Sequence, residues 1–96
     1  MALISLNPAT NKVIKKHYVH KDPEIKKILE SALKSQKYWS SLELEKRLEP
    51  VLKMSSYLKD NKLELSKVIT QEMGKPIKQS VSEIEKCVDL CNYYNK

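Results

Sequence analysis

Phenylalanine is missing from this 96-residue chain, and glycine and tryptophan occur once each. So little glycine excludes a phosphate-cradling loop, which needs several positions without a Cβ. Arginine also occurs once, as Arg47, against 17 lysines. Base reading and bidentate phosphate clamps rely on the arginine fork. The formal charge of +6 is therefore that of a solvated lysine surface, and argues against a nucleic-acid binder. No apolar run approaches the ~18 residues that would span a bilayer. The apolar start, Ala2-Leu3-Ile4-Ser5-Leu6, is too brief for a secretory leader. No histidine follows Cys87 and Cys91 at zinc-finger spacing, because His17 and His20 lie far upstream. Free thiols without an export signal imply the cytoplasm.

What is present, 41% hydrophobic and 31% charged residues, suits one small folded domain. A chain of this length buries only about 60–65% of its unfolded surface, so a thin core and marginal stability are expected. No repeat, low-complexity stretch or Pro/Gly/Ser-rich linker divides residues 1–96.

The pattern predicts a β-hairpin over 2–19, its strands Ala2–Leu6 and a second centred on Val13-Ile14 and Tyr18-Val19. Between them, Asn7-Pro8-Ala9-Thr10-Asn11 has turn chemistry: proline fixes φ, and asparagine tolerates the left-handed region. Four helices are predicted to follow, over 22–39, 41–60, 61–73 and 76–95. The first opens with Asp22 as cap and Pro23 at the first helical position. Ile25, Ile28, Leu29, Ala32, Leu33 and Trp39 then recur at helical spacing as one buried stripe. The second helix starts from a Ser40–Glu43 capping box, with Leu44, Leu48, Val51, Leu52, Ser55 and Leu58 inward. Pro50 interrupts it and predicts a bend near Leu48-Glu49 or a restart at Pro50. The third places Leu65, Val68, Ile69 and Met73 on one side and ends at Gly74 and Pro76. The fourth carries Ile77, Val81, Ile84, Val88 and Cys91.

Candidate chemistry is sparse. Cys87 and Cys91, four apart, share a helix face. They suit a redox pair or half a metal site, or else small buried hydrophobes, and the latter is expected. His17 and His20, three apart on a strand, point to opposite faces and share no metal. Glu83 and Glu85 lie on different helix faces and form no acid/base pair; Glu83 is expected to pair with Lys86 or its neighbours. Trp39, Tyr93 and Tyr94 at helix ends are expected to fill a core edge.

One set of segments says more. Asn7-Pro8-Ala9-Thr10, Trp39, the Ser41-Leu42 opening with Arg47, Glu72-Met73-Gly74-Lys75-Pro76, Glu83-Ile84-Glu85-Lys86-Cys87 and Tyr93-Tyr94 stand in an order that resembles the N-terminal part of the aldehyde dehydrogenases. The last two resemble bacterial succinate-semialdehyde dehydrogenases most. The resemblance implies a mainly α fold, a hairpin followed by four helices, corresponding to the outer helical layer of the family's α/β cofactor-binding domain. It implies oxidation of an aldehyde, succinate semialdehyde, to the carboxylic acid with NAD or NADP. The nucleophilic cysteine, the glutamate that activates water and the nucleotide-binding sheet belong to regions beyond the matched stretch. Hence no catalytic or cofactor-binding residue is assigned here, Cys87 is not the nucleophile, and the chain by itself is expected to be inactive and to bind no cofactor. Some family members hold a structural cation between a carbonyl near the hairpin and an acid of the fourth helix; Glu83 is the residue that would take that acid's place. Two departures stand out: Asn11 replaces the family's usual glycine, and Pro50 interrupts a helix that is usually continuous.

The partner expected on this reading is the remainder of the dehydrogenase, with self-association through exposed helix faces as a further possibility. The alternatives are a small basic helical module docking on a separate polypeptide, and an electrostatic binder of nucleic acid or an anionic membrane, whose affinity would fall steeply with salt.

Overall fold

The computed structural model describes residues 2–95. Two strands, β1 (Leu3–Leu6) and β2 (Val13–His17), precede four helices: α1 (Asp22–Ser41), α2 (Leu44–Asp60), α3 (Lys62–Met73) and α4 (Ile77–Tyr94). The expected hairpin and four helices are all present, with ends shifted by at most three residues.

β1 and β2 pair antiparallel, Leu3 opposite His17 and Leu6 opposite Val13. The register shifts between Ser5 and Leu6, which leaves Ile14 as the extra residue of a bulge. The connecting turn is built by Asn7, whose Oδ1 accepts from the amides of Ala9 (2.9 Å) and Thr10 (3.3 Å). Asn11 closes it at φ 58°, in the left-handed region. An asparagine meets there the need that the family's usual glycine meets without a Cβ.

The helix starts differ from expectation. Lys21, not Asp22, caps α1: the Glu24 carboxylate accepts from the Lys21 amide at 2.8 Å, half of a capping box. Pro23 sits in the first turn, where its missing N–H costs nothing. The Ser40–Glu43 box does not form, because α1 runs on through Ser41; Ser40 donates to the Lys37 carbonyl and Ser41 to that of Tyr38. Glu43 itself caps α2. α2 then passes through Pro50 without a restart. The proline forfeits one amide bond, to the Lys46 carbonyl, and sits exposed, where water can reach that carbonyl.

α4 is the hub, packed against α2 on one side and α3 on the other. Ile84 and Val88 of α4 are the buried apolar side chains among the described residues. Around them the packing is made by small polar groups: Ser66 and Ser80 are fully buried and Ser55 nearly so. Each is satisfied. Ser55 donates to Asn92 Oδ1 (2.8 Å), Ser66 to the Lys62 carbonyl (2.6 Å), and Ser80 Oγ lies 2.8 Å from Thr70 Oγ1. Serines at these points let helix backbones approach closely at the cost of little buried apolar area.

Most of the expected inner faces are not inner. Every residue of α1 except Glu24 is exposed, so its apolar stripe is a surface. Leu44 and Leu52 of α2, Val68 and Met73 of α3, and Ile77 of α4 are likewise exposed, as are Trp39, Tyr93 and Tyr94. The reason is dimensional. The chain measures 47 × 39 × 15 Å, and a helix with its side chains is about 10–12 Å across. It is a single layer. Its radius of gyration is 17.4 Å, against roughly 12–13 Å for a compact domain of this length. Its accessible surface is 8363 Å², roughly 2,700 Å² more than a globular monomer of 11.2 kDa exposes.

Candidate functional site

The segments with the most specific sequence patterns meet in space. Gly74 ends α3 in the left-handed conformation, φ 71°, and its amide donates to the Thr70 carbonyl at 2.9 Å. A Cβ placed there would lie 3.0 Å from Pro8 Cγ. The Gly74-Lys75-Pro76 turn is thus seated on the Asn7–Thr10 turn. Lys75 then reaches into α4 and ion-pairs with Glu83. Hairpin, α3 and α4 are joined at this clasp.

Glu83, the acid that would hold a structural cation by resemblance, is half-buried and engaged by that ammonium; it does not pair with Lys86. No cluster of three or more His, Cys, Asp or Glu able to hold a metal occurs among the described residues. Glu85, on another face of α4, pairs with Lys62 at 3.2 Å.

The other candidates stay apart. Both cysteines are free; Cys87 is exposed rather than buried, and Cys91 half-buried. His17 Nε2 lies 2.7 Å from Ser5 Oγ across the hairpin. His20 packs edge-on against Tyr18, with ring centroids 5.2 Å apart.

Two features escaped the sequence reading. The Tyr18 hydroxyl donates to Glu24 Oε1 at 2.7 Å, fastening the hairpin's end to the start of α1. That bond holds the Glu24 carboxyl below its ordinary range, helped by the Lys21 amide, and raises the Tyr18 phenol. The six-residue spacing across a strand-to-helix junction has no pattern that would disclose it. The second is the burial of Arg47, a residue the sequence singled out only by type and order: its Nε is buried with no hydrogen-bond partner among the described residues. Its being the one arginine in a lysine-rich chain was the available signal.

The residues present do not suit a dinucleotide. The single glycine is committed to the α3–α4 turn, and the two strands form an antiparallel hairpin, not the parallel strand–helix–strand unit that carries a pyrophosphate. No helix among the described residues is long and apolar enough to cross a membrane. What the layer offers is surface: apolar stripes on a scaffold tied together at the Gly74–Pro8 clasp.

Residues 2–96 match the aldehyde dehydrogenase family. A probable succinate-semialdehyde dehydrogenase (NADP(+)) from Synechocystis sp. is 29% identical over 94 residues, which cover 98% of this chain and 21% of that protein. The crystal structure of the glyceraldehyde-3-phosphate dehydrogenase GapN from Methanocaldococcus jannaschii, complexed with NADP, is similar at a TM-score of 0.86 and 29% identity, over 93% of this chain and 20% of that one. The chain spans about a fifth of the length of these relatives. Matched from the hairpin to the last helix, it belongs to the aldehyde dehydrogenase family.

Proposed function

We propose that this chain supplies the outer helical layer of an aldehyde dehydrogenase, and that by itself it catalyses nothing. The assembled enzyme would oxidise succinate semialdehyde to the acid with NAD or NADP, in the cytoplasm. The observation that carries the reading is the surplus of roughly 2,700 Å² of surface over a globular monomer of the same mass. A one-layer sheet of helices with its stripes open is the shape of a cover for another body. The buried, unpartnered Nε of Arg47 supports the same view: a buried donor left unpaired costs about 1–3 kcal/mol, and an acceptor from a packed neighbour removes that cost. For the substrate, Glu83-Ile84-Glu85-Lys86-Cys87 with Tyr93-Tyr94 and the Synechocystis relative both favour succinate semialdehyde. Two free cysteines suit a reducing compartment.

Covalent aldehyde oxidation needs an activated thiolate and a seated nicotinamide, and neither site is built by these residues. The purified chain incubated with succinate semialdehyde and NADP should form NADPH no faster than a boiled control. Co-expression with a polypeptide bearing the remainder of the enzyme should give turnover, with glyceraldehyde-3-phosphate as the competing substrate. NADPH formation by the chain alone would overturn the inactivity; preference for the phosphorylated aldehyde would overturn the substrate.

A further inference from the structure

The two thiols of α4 lie outside the clasp, and nothing above uses them. Both are free; Cys87 is exposed and Cys91 half-buried. The expectation of two small buried hydrophobes therefore fails at Cys87, and the pair is left to be read as thiols.

Their spacing is set by an unbroken helix. α4 runs from Ile77 to Tyr94, and the Cys91 carbonyl accepts from Asn95 Nδ2 at 2.9 Å, so the turn that holds Cys91 is closed. Residues four apart on such a helix are turned by only about 40° about its axis, with Cβ atoms about 5–6 Å apart. A disulfide needs about 3.5–4.5 Å between those atoms, so the helix keeps the two sulfurs from bonding each other. An ion held in line between them suits the gap. A metal–thiolate bond is about 2.3 Å long, and two end to end set the sulfurs about 4.6 Å apart, within reach of side chains on those Cβ atoms. Zinc does not suit it, because a structural zinc takes four ligands. No cluster of three or more His, Cys, Asp or Glu able to hold a metal occurs among the described residues, and Glu83, one turn before Cys87, is engaged by Lys75. What suits two thiolates alone is a soft monovalent ion, of which Cu(I) is the type.

We infer that Cys87 and Cys91 of one chain form a two-coordinate site for a soft monovalent cation of the Cu(I) class. On binding, each thiol gives its proton to water and each sulfur forms one bond to the metal. Copper stays monovalent, so nothing is oxidised or reduced. The inference does not depend on the enzymatic reading, and either can fail without the other. The test supplies Cu(I) to the reduced, purified chain without oxygen, in competition with the coloured chelator bicinchoninate. The chain should withdraw one ion per 11.2 kDa, and X-ray absorption should show two sulfur neighbours. Cys87→Ser should lose the ion to the chelator. Cys87→Ser combined with Lys86→Cys keeps two thiols but turns one by about 100° about the helix, and should lose it as well. Both positions are exposed, so the Ile84 and Val88 methyl resonances of the metal-free variants should stay in place. Failure of the native chain to withdraw copper would overturn the inference. So would retention of the ion by either variant, or one ion shared between two chains.

Discussion

Gly74 shows how much a single position can hold. Its φ of 71° lies where an L-residue with a Cβ is strained by about 1–2 kcal/mol. The same Cβ would press on Pro8 Cγ at 3.0 Å, so the side chain that relieves neither problem loosens the clasp as well. Gly74→Ala should therefore destabilise the chain by about 1–3 kcal/mol, read as a lower urea midpoint with an unchanged slope. The Tyr18–Glu24 bond makes a second prediction, about pH. The carboxyl of Glu24 is lowered, chiefly by the Tyr18 hydroxyl, so its contribution is full above the ordinary carboxylate range and is lost as pH falls through the depressed value. The Tyr18 phenol is raised by the same bond, so its contribution is full below the ordinary tyrosine range and is lost as pH climbs through the raised value. The hairpin–α1 junction should be tightest in the plateau between, with the Lys21 amide resonance flat there and moving at both ends. In Glu24→Gln the acid-side movement should vanish. Both groups are exposed, so salt and solvent screen the effect.

Among the elements, α4 carries the packing, and Ile84 is its centre. Ile84→Ala should remove about 2–5 kcal/mol, enough to abolish cooperative melting in a chain with so little buried apolar surface. Leu52→Ala on the open face of α2 should cost within about 0.5 kcal/mol, and parallel thermal melts of the two variants check the contrast. Element type and order were legible because local chemistry announces them. Asn11 and Gly74 are the residues that tolerate positive φ, and both adopt it; Pro76 stands at the start of α4. Boundaries were less so. Ser40 had a capping-box partner in Glu43, but a serine inside a helix can also bond back to a carbonyl behind it, and here it does. Burial was the least legible. The Ile25–Trp39 spacing identifies a face that favours apolar company; it says nothing of whether that company is in the same chain. The fully buried residues, Ser66 and Ser80, are of a type that hydropathy places on the surface.

At the level of the whole molecule, the candidate site was legible only as a family pattern. Asn7–Thr10 and Glu72–Pro76 lie more than sixty residues apart, and nothing in either says that Pro8 will rest on Gly74. Spatial contact explains why both belong to one structural unit. The ion pair of Lys75 with Glu83 then secures that unit to α4, the helix on which α2 and α3 both lean. The chain is a braced panel with its joints settled and its faces bare.

A thickness of 15 Å has a chemical corollary. Apart from the buried Nε of Arg47, the charges of such a panel lie near bulk water, which answers them and damps their fields. On the proposed reading, reagents that must be kept dry, a thiolate poised to attack or a hydride in flight, would be sheltered by the body laid against it. One wall of that dry space is what the proposal asks these residues to provide.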